Sequence, residues 1–306
     1  MDNQTRLKQF ILKNCEGLNL RVSNFSWTDE FNVPIHDIQV SIQSERNRHH
    51  IGRATASTPD LALVKAFSEA AEREVTCACA WKSTNGVAAH TDLVKAKTNS
   101  KFELLERHIF FGNFLNGLKF YFQVATPRSE ISEALLRRLN SSNVETLECF
   151  VDAEEHGVFS LVCMFGRNAT RKFGLIIGTA FRSERDESFE CALDEAARYY
   201  SFIEATPAYS SVSLEKFREI DQASLEDHGR LGLDLEYASW FRKTYVIEEQ
   251  QLDEHLEIPS SIEFETILPG TERNRFPLFV VRSSASNTYD LPVDLGKARR
   301  IAHPFR

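Results

Sequence analysis

Apolar positions three and four apart predict helices in this chain, and alternating apolar positions predict the strands between them. Asn3–Asn14 reads as a short helix with Leu7, Phe10 and Ile11 inward, and Gly17 stops it. Ile38, Val40 and Ile42 alternate with Asp37, Gln39, Ser41 and Gln43, the pattern of a half-buried strand. The segment ERNRHHIGRATASTPD reads as a basic, turn-rich approach to a helix start, with Thr58 as cap and Pro59 in the first turn. The helix Leu61–Val75 follows, with Leu63, Phe67, Ala70, Ala71 and Val75 on one stripe, and runs on to about Trp81.

Asn85-Gly86 signals a turn, Val87-Ala88-Ala89 is small and apolar, and Thr91-Asp92 caps a helix from Leu93 to about Asn113. Leu118, Phe120, Phe122 and Val124 alternate as a strand, Ser129–Leu139 is an amphipathic helix, and Thr146–Val151 is a strand. Val158–Phe165 and Phe173–Phe181 read as a hairpin about Gly166-Arg167-Asn168, with Phe173, Leu175, Ile177 and Thr179 on one face. A long helix spans about Asp186–Glu204, with candidate acids Glu187, Glu190, Asp194 and Glu195. Residues 206–259 are polar and acidic, helix-prone near Leu214–Ile220 and Tyr237–Glu249, and Phe276–Ser283 is an apolar strand.

Two of the helices carry the same charged face. Glu69, Glu72 and Arg73 stand at i, i+3 and i+4, and Glu103, Glu106 and Arg107 repeat that spacing. One such face is an ordinary solvated surface with an internal ion pair worth a few tenths of a kcal/mol. Two of them, joined by a short loop of small residues, point to a site as much as to a surface.

Composition narrows the classes. The 306 residues carry a net charge of -8, with 42% hydrophobic and 26% charged residues, an ordinary globular balance. The acidic sum argues against a general nucleic-acid or anionic-membrane binder, since both need a positive surface. The start lacks the apolar run of a secretory signal, and no apolar run reaches the length of a membrane span. Six cysteines form no C-x-x-C pair, which fits reduced thiols in a cytoplasmic protein and discounts a zinc site.

Carboxylates gathered on helix faces suit hard, oxygen-seeking cations, and Mg2+ is commonly shared between carboxylates and substrate phosphates. An arginine beside them can meet a phosphate oxygen. The chain has no G-x-x-x-x-G-K-[ST] loop, no kinase glycine loop and no G-x-S-x-G, so ATP would have to be held by an acidic, metal-rich mode. A divalent-ion hydrolase or plain surface charge fits the same acids. His49-His50 read as solvent-exposed, and His90 and His108 as capping or packing residues.

In order along the chain, GRATASTPDLALVKAFSEAAERE, TNGVAAHTDLVKAKTNSKFELLERH, IIGTAFRSERDESFECALDEA and a terminal HPF resemble the YcaO family. The family's hallmarks are an E-A-x-E-R helix, an S-N-G-x-A-A loop before a second E-x-x-E-R helix, a later A-L-x-E-A helix and a proline-rich C-terminus. The resemblance implies an α+β fold, with mixed or antiparallel β-sheets and acid-bearing helices lining a nucleotide cleft. It implies a single domain over residues 1–306, with residues 206–260 as a helical insertion. It also implies an ATP-dependent cyclodehydratase that activates backbone amides of a ribosomally made precursor peptide by O-phosphorylation to form azolines. Thioamide or amidine formation on the same scaffold, or a degenerate member acting as scaffold or peptide-binding subunit, are its alternatives.

By that resemblance Glu69, Glu72, Glu103, Glu106 and Glu195 hold Mg2+ and the nucleotide. Arg73, Arg107, Arg198, Arg282 and Lys65 are cofactor-binding, and His303, Pro304 and Phe305 are the remnant of a catalytic tail. The implied partners are the precursor peptide, a leader-binding ThiF-like subunit and a flavin-dependent azoline dehydrogenase, in a homodimer or hetero-oligomer serving antibiotic biosynthesis in the cytoplasm. The chain departs from the family pattern at Lys65, where a serine is usual, at Arg198, where glutamine is usual, and at the terminal Arg306.

Overall fold

Ile38, Val40 and Ile42 are buried in one ten-residue strand, under a helix that follows the next strand. A computed structural model describes residues 3–28, 34–44, 47–81, 83–166, 173–206, 210–220, 225–247, 258–259, 261–286 and 288. The chain begins α1 (Asn3–Asn14), β1 (Arg21–Asn24), β2 (Trp27–Thr28), β3 (Pro34–Gln43), β4 (His49–Ala56) and α2 (Pro59–Ala78). Then come β5 (Val87–His90), α3 (Leu93–Asn116), β6 (Phe120–Tyr121), β7 (Gln123–Val124), α4 (Glu130–Ser141) and β8 (Val144–Asp152). The hairpin strands β9 (Val158–Gly166) and β10 (Leu175–Arg182) lead to α5 (Arg185–Ala205). Three shorter helices, α6 (Leu214–Glu219), α7 (Leu225–Gly232) and α8 (Leu235–Tyr245), precede β11 (Val246–Ile247), β12 (Glu263–Ile267) and β13 (Phe279–Ser284).

The described residues form two compact units, the first from Met1–Leu105 and Pro259–Leu291, the second from Glu106–Ile258. In the first unit β4 pairs antiparallel with one side of β3, and β1 and β2 with the other. Thr58 caps α2 by accepting the Leu61 N–H, and Pro59 needs no donor in that first turn. Ala62, Ala66, Phe67, Ala70, Ala71 and Val75 then bury one stripe of α2 against β3 and β4. Phe67 meets Phe276 edge to face at 5.5 Å. A second sheet, in the order β12-β13-β5, brings Val87–His90 beside α2.

In the second unit β10, β9, β8 and β7 form an antiparallel sheet in that order, with α5 packed on β9 and β10 and α4 on β8. Ser129 and Ser132 form a reciprocal capping box at the start of α4. Phenylalanines fill the core beside the sheet: Phe110 packs on Phe111, Phe114 and Phe120, and Phe114 stacks on Tyr245 at 4.9 Å. The α+β character and the antiparallel sheets are as the sequence implies.

Some local expectations change. The basic approach segment is strand β4, because His49–Ala56 pairs residue for residue with β3 and its small residues Gly52, Ala54 and Ala56 are buried, while Ile51 stays exposed. The predicted 118–124 strand is two short pieces, β6 and β7, which join different sheets. Residues 175–181 are buried on both faces, not one, since α5 covers one side and Thr179 meets α3 on the other. Helix α7 and strand β12 were not expected; β12 is exposed over Glu263, Phe264 and Glu265. The proposed turn at Arg167-Asn168 lies outside the described residues.

Candidate functional site

In the first unit Glu69 and Glu72 of α2 have different surroundings. Glu69 is half-buried; its Oε2 accepts the backbone N–H of Arg53 at 2.8 Å, and its Oε1 pairs with Arg73 Nη2 at 2.7 Å. Arg73 also donates to the Ile51 carbonyl. Glu72 is half-buried, and its Oε1 accepts the N–H of Ala89, from β5, at 2.7 Å. Burial pushes the Glu72 carboxyl up to about 8; nearby Glu69 adds to this, and the Ala89 N–H and Arg73 oppose it. A carboxyl so placed resists ionising in the absence of a cation.

Glu103 is half-buried one turn before Glu106 on α3. In the second unit Glu106 and Glu195 meet on one residue, Thr179. The Thr179 hydroxyl donates to Glu106 Oε1 at 2.6 Å, and the Thr179 N–H donates to Glu195 Oε2 at 2.8 Å. Arg107 Nη1 lies 3.5 Å from Glu106 Oε1. Burial raises the Glu195 carboxyl, Glu106 raises it further, and Arg107, the Thr179 N–H and Arg198 pull it down. Arg198 lies 3.5 Å from Asp194, one turn back on α5.

The predicted residues therefore gather within each unit. Glu69, Glu72 and Arg73 form one group, and Glu106, Arg107, Glu195 and Arg198 another. Lys65 is exposed on α2, and Arg282 stands over the Trp81 ring at 5.7 Å. His303, Pro304 and Phe305 lie outside the described residues. His49 and His50 are on β4, not in a loop, with His49 exposed and His50 half-buried. His90 Nδ1 accepts the Asp92 N–H at the start of α3, a capping role, and His108 is buried.

Four donors were not read from the sequence: the amides of Arg53 and Ala89, and the amide and hydroxyl of Thr179. Backbone amides carry no residue code, but a signal for Thr179 exists, since Ile-Gly precedes it as it precedes Arg53.

The donor set fits a hard cation with a phosphate ligand. Each unit has a half-buried carboxyl raised by desolvation, Glu72 or Glu195, beside a second carboxylate, with arginines adjacent. Among the described residues no three His, Cys, Asp or Glu side chains gather into a metal cluster. Mg2+ characteristically takes one or two carboxylates and completes its shell with water and substrate phosphates, so pairs suffice.

A family model described as YcaO cyclodehydratase, ATP- and Mg2+-binding, matches residues 72–282. No curated protein matches the chain significantly. Among solved structures, a YcaO from Methanopyrus kandleri bound with AMPPCP and Mg2+ aligns with a TM-score of 0.62 at 13% identity, over 98% of this chain and 94% of that one. A heterocyclase in complex with substrate and cofactor aligns with a TM-score of 0.59 at 12% identity, over 98% of this chain but 55% of its own. The chain thus spans little more than half of that heterocyclase. A chain of the E. coli microcin synthetase McbBCD complex aligns with a TM-score of 0.58 at 10% identity, over 88% of this chain and 93% of that one. At these identities the structural likeness shows the fold.

Proposed function

The chain belongs to the YcaO family of ATP- and Mg2+-binding proteins, and from that premise we propose that it forms azolines in a ribosomally made precursor peptide. A Cys, Ser or Thr side chain of the peptide adds to the preceding backbone carbonyl. The former carbonyl oxygen takes the γ-phosphoryl group of ATP and ADP departs. The amide nitrogen then expels inorganic phosphate and loses its proton, which leaves a C=N bond and a peptide lighter by one water. Phosphoryl transfer of this kind asks the protein for positioning and charge neutralisation more than for covalent chemistry.

Mg2+ would supply neutralisation of the phosphate charge. Glu69, Glu72 and Glu103 would hold it in the first unit, and Glu106 and Glu195 in the second. Arg73, Arg107, Arg198, Arg282 and Lys65 would meet phosphate oxygens, and His303-Pro304-Phe305 would serve the peptide step. A leader-binding ThiF-like subunit would present the substrate, and a flavin-dependent dehydrogenase would oxidise the azoline, in the cytoplasm. No helix among the described residues is long and apolar enough to cross a membrane.

The observation that carries this reading is Glu72. A half-buried, desolvated carboxyl, aimed by the Ala89 amide and raised to about 8, is what a bound cation relieves. ATP consumption with precursor peptide and partner subunit is the test, on wild type and Glu72→Gln, with product mass read in parallel. Loss of water from the peptide and loss of turnover in the variant are expected. Turnover that survives Glu72→Gln contradicts the assignment.

The Arg198–Asp194 ion pair favours one second reading, a subunit that binds peptide without turning over ATP, because glutamine is usual at that place in the family. Failure of wild type to bind Mg2+·ATP would select it.

A further inference from the structure

Two strands end their sheets in this chain, and each meets a helix in the same way. Among the described residues β4 pairs only with β3, and β10 only with β9, so each has an open side with backbone donors to satisfy. On the open side of β4 the Arg53 N–H donates to Glu69 Oε2 at 2.8 Å; on that of β10 the Thr179 N–H donates to Glu195 Oε2 at 2.8 Å. The preceding residue is glycine in both. A Cβ on Gly52 would lie 2.1 Å from the Ala66 carbonyl oxygen and 2.6 Å from the Ala70 nitrogen. A Cβ on Gly178 would lie 2.1 Å from the Ala192 carbonyl oxygen and 2.7 Å from the Ala196 nitrogen. Helix backbone rests on strand backbone at a place where only glycine leaves room.

The correspondence extends along the chain without a gap. IGRATASTPDLALVKAFSEAA, from Ile51, and IGTAFRSERDESFECALDEAA, from Ile177, stand 126 residues apart and share nine of 21 positions. The strands before them agree too, with Val40 opposite Gly52 and Val162 opposite Gly178, both valines fully buried.

We infer that the chain carries one strand–glycine–helix clamp twice, and that Gly52 with the Arg53 amide and Gly178 with the Thr179 amide are positioning residues for Glu69 and Glu195. The inference rests on the proposed role of those glutamates toward Mg2+ and ATP. Each clamp commits one carboxylate oxygen to a fixed strand amide, which sets the direction of the other. The duplication also pairs residues that spacing alone does not: Glu195 corresponds to Glu69, and Arg198 to Glu72. One copy thus carries a second carboxylate where the other carries a guanidinium. Both copies keep a clamped carboxylate for a cation, and the second adds a guanidinium that can meet a phosphate oxygen.

A purely structural role, in which the glutamate only satisfies an open strand edge, predicts a different result in the test. Gly174 supplies the control: a Cβ there would lie 2.4 Å from the Asp234 carbonyl oxygen and 2.7 Å from the Ala238 Cβ, a comparable collision with a helix that holds no clamped glutamate. Full-length Gly178→Ala and Gly174→Ala are compared by thermal melting and by calorimetric titration with Mg2+·AMPPCP. Both melt earlier, and only Gly178→Ala loses affinity, by tenfold or more. Equal losses in both variants, or wild-type affinity in Gly178→Ala, overturn the inference.

Should wild type bind no nucleotide, which sinks the proposed function alone, or should Gly178→Ala not fold, amide hydrogen exchange decides. Glu195→Gln keeps an oxygen for the Thr179 N–H, and Glu195→Ala removes it. Exchange at Thr179 at least tenfold faster in Glu195→Ala than in Glu195→Gln, with the same contrast at Arg53 for Glu69→Ala and Glu69→Gln, upholds the clamp. Equal exchange in the paired variants overturns it.

Discussion

The backbone N–H of Ala89 donates to Glu72 Oε1 at 2.7 Å, and so ties a half-buried helix carboxyl to the strand that follows the Asn85-Gly86 turn. Burial raises that carboxyl from 4.5 to about 8. A folded-state value above the unfolded one means the fold prefers the protonated form. The stability this group contributes is therefore full below about 4.5 and is lost as pH rises through about 8. In chelator and without nucleotide, melting temperature should fall across that window. Glu72→Gln, which keeps an acceptor for Ala89 and cannot ionise, should remove that slope. Parallel pH profiles for the two proteins would contradict the assignment.

Thr179 holds Glu106 by its hydroxyl and Glu195 by its amide. Thr179→Val keeps the shape and the amide but leaves a buried carboxylate one donor short. Urea unfolding should show a loss of about 1–3 kcal/mol. Thr179→Ser should recover most of it, because the hydroxyl returns.

Two ion pairs of the first unit should differ sharply in worth. Arg53 grips Asp37 through two bonds, at 2.8 and 2.6 Å, with Asp37 only 3% exposed. Asp37→Ala should cost about 3–5 kcal/mol, since it strands a largely buried guanidinium. The Lys8–Asp60 pair is 2.6 Å long but lies in solvent, and Asp60→Ala should cost about 1 kcal/mol or less. Urea midpoints of the two variants compare them directly.

Helices with strong end signals were legible from sequence: Thr58-Pro59 placed the start of α2, and Ser129 the start of α4. The face shared by Glu69 and Glu72, and that shared by Glu103 and Glu106, were legible through spacing, because i, i+3 and i+4 share a helix face whatever the fold. Glu195 was singled out only by the resemblance. Strand β4 was not, since HHIGRATA mixes basic and turn-forming residues whose strand character comes from pairing with β3. Nor was the second role of Thr179. A threonine in an apolar strand looks like a face residue, and only the arrival of Glu106 from α3 and Glu195 from α5 gives both its donors a partner.

Phe67 is fully buried and packs edge to face on Phe276 beneath the helix that bears Glu69 and Glu72. Phe67→Ala should destabilise the protein by about 3–5 kcal/mol. Thermal melting or urea unfolding measures this loss.

Calorimetric titration of Mg2+·AMPPCP into wild type and Glu72→Gln tests the central claim most directly. Wild type should bind with a strict requirement for Mg2+, and Glu72→Gln should bind at least tenfold more weakly while melting no earlier than wild type at pH 8. Equal affinity in the two proteins would contradict the account.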